Sequence, residues 1–345
     1  AARERFTGKI IAITGSVGKT STKEMLNVAL KNQGIVHASD KSFNNQWGVP
    51  LTLARMPTNA DFAIIEMGMN KSGEIKEHSC LARPNIVLIT EVKNVHMSNF
   101  EDINKIALAK SEIFSGLEVG GLALVNSDVS TIDIIERSLQ DPTVNLQKFG
   151  IKGPDWVLNQ VNVKDHSLEV IASQSSIKFK FELNSLGQHF ALNGLATIAT
   201  VSLLGADKNI AIKQLQNWQP FEGRGQHIEI EFWDGDAIKT FDLIDDSYNS
   251  NPTSLKAGLR LLDSLWKLKI GQRLTKGRKV AILGDMLELG FNEVSIHQSI
   301  ATWDEIKDIE KFYLVGDLMK SLYETLSSKV DKCWFNTTDE LLEML

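Results

Sequence analysis

The sequence contains few cysteines, and they lie far apart. Only two of its 345 residues are cysteine, Cys80 and Cys333, and neither lies within the short spacing that zinc ligands show. A disulfide framework needs several paired cysteines and an oxidising compartment. The cysteine content therefore argues against a disulfide-stabilised or zinc-binding protein, and it fits the reducing cytoplasm, where we expect this protein to act.

Long apolar runs and basic tracts are also missing. No stretch approaches the roughly 20 apolar residues of a membrane-spanning helix, and no signal-peptide pattern precedes the first predicted strand. The formal net charge is -6 without a sustained run of Lys or Arg, which argues against a general nucleic-acid-binding protein. We therefore expect neither a membrane span nor a nucleic-acid partner.

The most informative pattern present is a glycine-rich loop between a predicted strand and a predicted helix. The strand covers residues 9–14, the loop reads GSVGKT, and an apolar stripe with helical spacing follows. Glycines let backbone N–H groups surround phosphate oxygens, a lysine reaches the terminal phosphates, and the next hydroxyl binds Mg²⁺. The loop is shorter than the common GxxxxGK[ST] pattern, because Ile13 stands where the first glycine would fall. An ordinary glycine turn is the alternative. The predicted phosphate-binding residues are Gly15, Ser16, Val17, Gly18, Lys19 and Thr20.

The first part of the chain alternates short apolar runs with helical patterns, which predicts an α/β domain. Apolar runs at residues 62–66, 86–90 and 122–126 are typical of buried parallel strands. The polar–apolar alternation within residues 157–183 indicates antiparallel strands at one side of this domain. We therefore predict a mostly parallel sheet with an antiparallel extension.

A second, smaller α/β domain is predicted after a break in regular structure. The segment PFEGRG, residues 220–225, interrupts the pattern with proline and glycine and is interpreted as a linker. Two apolar runs around Asp234-Gly235 then predict a hairpin, and strands and helices alternate after residue 250. We predict domains over residues 1–225 and 226–345.

Three residues have side chains suited to a metal site at the sheet edge. Glu66 ends a predicted parallel strand beside the phosphate loop, where Mg²⁺ needs a carboxylate ligand, although a solvated acid is the alternative. His96 follows the next strand, but a lone histidine is usually structural. Lys110 falls within an apolar stripe of a helix predicted over residues 101–117. A lysine there either extends past its neighbours to solvent or is held by a specific partner.

Further polar residues stand at predicted turns. Asn44 and Asn45 in FNNQWGVP are suited to binding a substrate carboxylate or phosphate, or to capping a helix. Asn126 stands at the end of a predicted strand and has the donor and acceptor that a ribose or adenine needs, or it belongs to a turn. Arg224 in the linker would contact the γ-phosphate when two domains close, or it is an exposed linker residue.

Taken together, the motifs resemble the Mur ligase family across essentially the entire chain. They follow the family's order: GSVGKT, NNQWGVP, IIEMGMN, HMSNF, ALAKSEIF, LGQHFALNG, EGRGQ, DDSYNSNPTS and LGDMLELG. The resemblance implies a central P-loop ATPase domain and a Rossmann-like C-terminal domain. We expect the family's N-terminal UDP-sugar domain and the final strands of its C-terminal domain to be missing from this sequence.

The resemblance implies roles for the residues near the phosphates. Lys19 would contact the β- and γ-phosphates, Thr20 and Glu66 would bind one Mg²⁺, and His96 would bind a second. Lys110 matches the family lysine that CO₂ converts to an anionic carbamate, a group able to support Mg²⁺. This match would explain a lysine within an apolar stripe.

Other matches concern the base, the ribose and the substrate. Asn193 matches the adenine-side asparagine, and Asp246 matches the C-terminal acid near the ribose. Arg224 matches the linker arginine, which would act in catalysis with Lys19, Lys110 and His96. The residues expected to shape the substrate side are Tyr248, Asn249 and Asn251, besides Asn44 and Asn45. Phe190 replaces an asparagine that often follows the family histidine, so the resemblance leaves the role of His189 open.

The implied activity is ATP-dependent amide ligation. The last two motifs are most similar to the branch that joins D-Ala-D-Ala to UDP-N-acetylmuramoyl-tripeptide, in peptidoglycan precursor synthesis and hence cell-wall formation and cell division. The tripeptide carboxylate would attack the γ-phosphorus of ATP, and the dipeptide amine would then displace phosphate from the acyl phosphate. Whether the tripeptide ends in meso-diaminopimelate or lysine stays open.

Three alternatives remain: a different Mur branch, a ligase similar to folylpolyglutamate synthetase, and a non-catalytic nucleotide-binding protein. The DDSYNSNPTS motif disfavours the first two, and a pure binder has no need of a second metal site. We expect a monomer that binds ATP and, without the sugar-nucleotide domain, ligates poorly.

Overall fold

A computed structural model describes residues 2–94, 99–164, 167–235, 237–271 and 277–344. The strands in these residues are β1 Lys9–Thr14, β2 Val36–Ala38, β3 Phe62–Glu66, β4 Ile86–Ile89, β5 Leu122–Asn126, β6 Asn145–Gly150, β7 Trp156–Val163, β8 Leu168–Gln174, β9 Ile177–Leu183, β10 Gln226–Asp234, β11 Ala237–Asp245, β12 Val280–Gly284, β13 Lys311–Val315 and β14 Asp331–Phe335.

The α-helices of the same residues are α1 Ala2–Arg5, α2 Lys19–Leu30, α3 Gly48–Arg55, α4 Glu74–Ala82, α5 Ile103–Ser111, α6 Ile132–Ser138, α7 Phe190–Leu203, α8 Lys208–Leu215, α9 Pro252–Gly271, α10 Glu293–Ser299, α11 Asp317–Thr325 and α12 Thr338–Met344. Short 3-10 helices cover Glu112–Gly116, Gly290–Asn292, Ile300–Thr302 and Asp304–Ile306. None of these described helices has the length and apolar character needed to cross a membrane.

The chain forms two compact units, one with residues 2–94 and 99–220 and the other with residues 221–344. The first unit contains a nine-stranded sheet in the order β2-β3-β1-β4-β5-β6-β7-β8-β9. Its strands pair in parallel as far as β7, and β8 and β9 extend the sheet with antiparallel pairing. Residue Ile13 of β1 lies beside Glu66 of β3 and Leu88 of β4.

This strand order places the phosphate loop at the carboxyl ends of the central strands of the sheet. Strand β1 runs between β3 and β4, so the carboxyl ends of the three strands meet where the strand order reverses, the usual ligand position in open α/β sheets. The apolar stripe of α2, with Met25, Leu26, Ala29 and Leu30 all fully buried, packs in the core of this unit. Burial of that stripe fixes the helix that follows the loop.

The second unit has a separate core. Strands β10 and β11 form an antiparallel hairpin, and β12, β13 and β14 form a parallel sheet. Leu314 of β13 and Met319 and Leu322 of α11 are fully buried in its apolar cluster. The unit is therefore an α/β structure of its own, as the alternating pattern after residue 250 predicts.

The predicted α/β class with a mostly parallel sheet is confirmed. Strands β1, β3 and β5 have the bounds expected from their apolar runs. The helix predicted over residues 101–117 is divided into α5 and a 3-10 helix that begins at Glu112. The units separate after Pro220, at the start of the predicted linker; their assignment to domains 1–225 and 226–345 stays a prediction.

Candidate active site

The phosphate loop has a backbone that only glycine allows at two positions. Gly18 is left-handed with φ +85°, and a Cβ atom there would lie 2.9 Å from Asn193 Oδ1. A Cβ atom on Gly15 would come within 2.0 Å of Thr90 Oγ1. Helix α2 begins at Lys19 without a side-chain cap from the described residues, so its first amides are available to an anion.

Thr90, which the sequence did not single out, binds the backbone of the phosphate loop through its hydroxyl group. The Thr90 hydroxyl lies 2.7 Å from the carbonyl oxygen of Val17 and 3.2 Å from that of Thr14. Asn126, 2% exposed, donates from Nδ2 to the Thr90 carbonyl oxygen and accepts at Oδ1 from the Asp128 amide. Both ends of the Asn126 amide therefore bind protein groups, and its contact with a nucleotide stays a prediction. The only sequence signal for Thr90 is its position at the end of a strand.

Glu66 is fully buried, and its two carboxylate oxygens have different surroundings. Oε1 accepts hydrogen bonds from the Thr20 hydroxyl at 3.1 Å and from Asn44 Nδ2 at 2.7 Å. Oε2 is buried and has no hydrogen-bond partner among the described residues. A buried carboxylate oxygen without a partner is costly, so a cation that approaches Oε2 would remove this cost.

The donor set fits Mg²⁺ if the nucleotide supplies further ligands. No group of three His, Cys, Asp or Glu side chains within the described part of the chain forms a metal site by itself. Mg²⁺ commonly uses one or two carboxylates, several waters and substrate phosphates. Glu66 with the adjacent Thr20 hydroxyl matches that mode. His96 lies outside the described residues, so the expected second ligand is not assessed.

Two lysines, Lys19 and Lys110, belong to the described part of this site. Lys19 donates to the Gly15 carbonyl oxygen at 2.8 Å. Lys110, near the end of α5, is 2% exposed, and no carboxylate within the described ranges forms an ion pair with it. Burial, and next the charge of Lys19, hold the pKa of Lys110 well below its ordinary value. A buried side chain does not match the solvent-extended alternative, and an amine with a lowered pKa is more nucleophilic at neutral pH.

The end of α5 also organises the segment after β3. Glu112, two residues after Lys110, accepts hydrogen bonds from the Ser72 hydroxyl at 2.7 Å and the Gly73 amide at 2.8 Å. Its other oxygen lies 3.3 Å from the Lys76 amide nitrogen. The carboxylate thus holds the N-terminus of α4, where a negative charge is favourable.

Neighbouring asparagines in FNNQWGVP have different tasks. The Asn44 amide contacts Glu66, whereas Asn45 Oδ1 accepts from the amides of Trp47 and Gly48 at the start of α3. Asn45 therefore has the helix-capping geometry that was one of the two readings of this motif. The expected substrate contacts of both residues stay predictions.

The structure around Asn193 shows that Phe190 packs in the core. Asn193 lies against Gly18 of the phosphate loop, and its expected contact with the adenine stays a prediction. Phe190 is 2% exposed and packs against Trp218 with ring centroids 4.9 Å apart. The ring of the exposed His189 also lies nearby, 3.9 Å away between centroids. Phe190 is thus a core residue, and the role of His189 stays open.

The second unit brings Arg224, Tyr248 and Asp246 together. The Arg224 guanidinium lies 4.2 Å from the centre of the half-exposed Tyr248 ring, a cation–π distance. Burial raises the pKa of Asp246 to about 7, although the charge of Arg224 acts in the opposite direction. Asn249 is exposed, and Asn251 Oδ1 accepts from the Thr253 and Ser254 amides at the start of α9. The expected ligand contacts of these residues stay predictions.

Comparison with known proteins identifies relatives along the whole chain. The model of the Mur ligase middle domain matches residues 13–201. A protein of Rickettsia prowazekii named UDP-N-acetylmuramoyl-tripeptide--D-alanyl-D-alanine ligase is 32% identical over 99% of the chain and 72% of its own length. The protein of the same name from Bacillus subtilis is 32% identical over 90% of the chain, which spans 63% of that relative.

Solved structures agree with the sequence relatives. The crystal structure of MurF from Acinetobacter baumannii superimposes with a TM-score of 0.85 at 27% identity, over 99% of this chain and 71% of that one. MurF from Thermotoga maritima has a TM-score of 0.81 at 22% identity, with 75% of its chain covered, which supports the fold alone.

Proposed function

Because the chain belongs to the Mur ligase family, we propose that it is an ATP-dependent ligase that joins D-Ala-D-Ala to UDP-N-acetylmuramoyl-tripeptide, the activity named for its relatives. The product would be a precursor of peptidoglycan. Action as a monomer in the cytoplasm is part of this proposal.

One observation carries the proposal from the structural side. Four side chains lie close together where the parallel strands end: Lys19, Thr20, Glu66 and Lys110. The Thr20 hydroxyl donates to Glu66, and the charge of Lys19 is near enough to lower the pKa of Lys110. A phosphate loop alone would serve many nucleotide-binding proteins. A buried carboxylate with one unpartnered oxygen and a buried lysine without a carboxylate partner among the described residues favour a phosphoryl-transfer site over simple nucleotide binding.

The residues of the chain have separable tasks in this reaction. The first amides of α2 and the Lys19 ammonium bind the terminal phosphates, which orients the γ-phosphorus toward the tripeptide carboxylate. Thr20 and Glu66 would hold Mg²⁺, which neutralises phosphate charge when bound. Lys110, as its carbamate, would add an anionic group on the same side. Carbamate formation joins the neutral amine nitrogen to the carbon of CO₂ and releases one proton.

The decisive experiment measures phosphate release by the full-length protein. The reaction contains ATP, Mg²⁺ and UDP-N-acetylmuramoyl-tripeptide, once with D-Ala-D-Ala and once with L-Ala. We expect release that depends on the tripeptide and on D-Ala-D-Ala, and an amide product confirmed by mass spectrometry.

The matched control is Lys19→Ala, which removes the expected phosphate contact together with the hydrogen bond to the Gly15 carbonyl oxygen; the circular dichroism spectrum of the variant checks that the protein stays folded. Loss of an electrostatic contact of this kind lowers the rate by about 100-fold or more. Equal release with L-Ala would favour a different branch of the family. Binding of Mg²⁺ and nucleotide without any release would favour the non-catalytic alternative.

A further inference from the structure

Lys23 is a buried lysine on α2 that the proposed reaction does not use. Its side chain is 0% exposed and pairs with Glu24 at 2.9 Å. Its Nζ atom also donates to the carbonyl oxygens of Ser39, at 2.7 Å, and Lys41. Burying an ammonium group costs several kcal/mol unless its hydrogens are bonded. These acceptors satisfy it, so the position is built for a lysine.

The two carbonyl groups belong to a segment that surrounds Glu66. We name residues 39–45 the carboxylate loop. At one end, the Ser39 hydroxyl accepts from the Glu66 amide at 3.1 Å; at the other end, Asn44 Nδ2 donates to Glu66 Oε1 at 2.7 Å. The Ser42 and Thr20 hydroxyl oxygens lie 3.5 Å apart between them. The loop therefore supplies one of the two hydrogen bonds to Oε1, and no described residue of the loop donates to Oε2.

The carboxylate loop contains an unfavourable backbone conformation at the point that Lys23 contacts. Lys41 has φ +46°, in the left-handed region that non-glycine residues rarely adopt. A non-glycine residue in this conformation is strained and persists only when its surroundings enforce it. The Lys23 ammonium donates to the carbonyl oxygen of this same residue and so stands where such a constraint is needed.

We propose that Lys23 is a positioning residue that locks the carboxylate loop to the phosphate-loop helix and thereby orients Glu66 through Asn44. Lys23 follows Lys19 by four residues and Thr20 by three, so the three side chains share one side of α2. The helix that binds phosphate thus also fixes the metal-binding carboxylate. The effect of Lys23 on nucleotide affinity rests on the proposed function. The lock, by which we mean the hydrogen bonds from Lys23 to the carbonyl oxygens of Ser39 and Lys41, does not.

The first test uses the ligand-free protein and limited trypsin digestion. Trypsin cleaves after Lys41 only when the carboxylate loop opens locally. In Lys23→Met we expect cleavage after Lys41 to be at least about tenfold faster than in the wild type, with other sites unchanged. The matched control is Lys31→Met, an exposed lysine at the end of the same helix. Unchanged cleavage at Lys41, or equal acceleration at every site, would overturn the proposal.

Hydrogen exchange of the wild-type protein keeps the lock testable if Lys23→Met does not fold. We expect slow exchange at the Ser39 and Phe43 amides, which donate to the carbonyl oxygens of Ile64 and Asp40. Exchange of the Phe43 amide at the rate of an unfolded peptide would overturn the lock.

The second test asks whether Lys23 acts through Asn44. The affinity for the non-hydrolysable ATP analogue AMPPNP is measured with and without Mg²⁺ in Lys23→Met, Asn44→Ala and the double variant. We expect each single variant to lose about tenfold of the Mg²⁺-dependent affinity and the double variant to lose no more than either, because coupled residues are not additive. Additive losses would refute the coupling. If the wild type binds no nucleotide, the proposed function fails while the trypsin result still decides the lock.

Discussion

At the scale of the residue, the burial of Lys110 lowers the stability of the fold and also favours the reactive neutral amine. An ammonium group that is 2% exposed and lacks a carboxylate partner in the described chain destabilises the fold. The lowered pKa of Lys110 reduces this cost, because the neutral amine is easier to bury. The neutral amine is also the form that attacks CO₂. The burial that makes Lys110 unusual thus prepares it for carbamylation.

We predict that Lys110→Met separates activity from stability. Methionine fills a similar volume without a charge, so the thermal midpoint should stay the same or rise, whereas phosphate release should fall by about 100-fold or more. In the companion variant Lys110→Ala, whose shorter side chain leaves a space, short carboxylates such as acetate or propionate should restore part of the activity, and bicarbonate should not. The control Lys105→Met changes an exposed lysine of the same helix. Full activity in Lys110→Met would reduce the residue to a packing role.

Asp246 gives a prediction for pH at the same scale. Its folded pKa of about 7 lies above the ordinary 3.8 because burial disfavours the carboxylate. Below about pH 4 both folded and unfolded chains keep the proton. Between about pH 4 and 7 the unfolded chain releases it while the folded chain retains it, so stability falls as pH rises and then stays level.

The variant Asp246→Asn, which mimics the protonated form, should therefore match the wild type near pH 4 and exceed it at pH 8. We expect a difference of roughly 1–3 kcal/mol in the free energy of unfolding of the second unit. Urea unfolding at both pH values measures it. Asp339→Asn, at an exposed position of α12, serves as the control. A constant difference at both pH values would contradict the assignment of the titration to Asp246.

At the scale of the element, the apolar pattern of the sequence predicts the bounds of a strand correctly where the strand is buried on both faces. Strands β1 and β3 are continuous apolar runs, and their ends follow directly from the sequence. Strand β6 was not predicted, because NLQKFG alternates polar residues and contains no apolar run. It forms because β5 and β7 supply hydrogen bonds on either side. Pairing between strands overrides local preference there.

The direction of a side chain within a loop is harder to predict from the sequence than the helices and strands themselves. Asn44 and Asn45 are adjacent and chemically identical, yet one contacts Glu66 and the other caps α3. The backbone of the carboxylate loop decides between them, and its left-handed turn at Lys41 has no glycine to mark it. Asn251 similarly caps α9. Composition identifies amide groups near a site but does not say where each one points.

At the scale of the whole molecule, the two units have separate apolar cores, and Lys19, Thr20, Glu66 and Lys110 of the proposed phosphate site belong to the first. A ligand that binds only the folded form stabilises it by RT ln(1 + [L]/Kd), about 2.7 kcal/mol at 100 times Kd. A nucleotide should therefore stabilise the first unit whatever the second unit contributes to binding.

We predict that Mg²⁺ with AMPPNP at 100 times Kd raises the unfolding temperature of the first unit by about 5–10 °C, given the entropy of unfolding of a domain of this size. Calorimetry gives the temperature, and hydrogen exchange assigns the protection to residues 15–20 and 66–68. In Lys19→Ala at the same ligand concentration the shift should largely disappear, because the terminal phosphates lose their cation. A shift that survives in Lys19→Ala, or protection confined to residues 221–344, would place the nucleotide elsewhere and remove the basis for assigning phosphoryl transfer to this sheet edge.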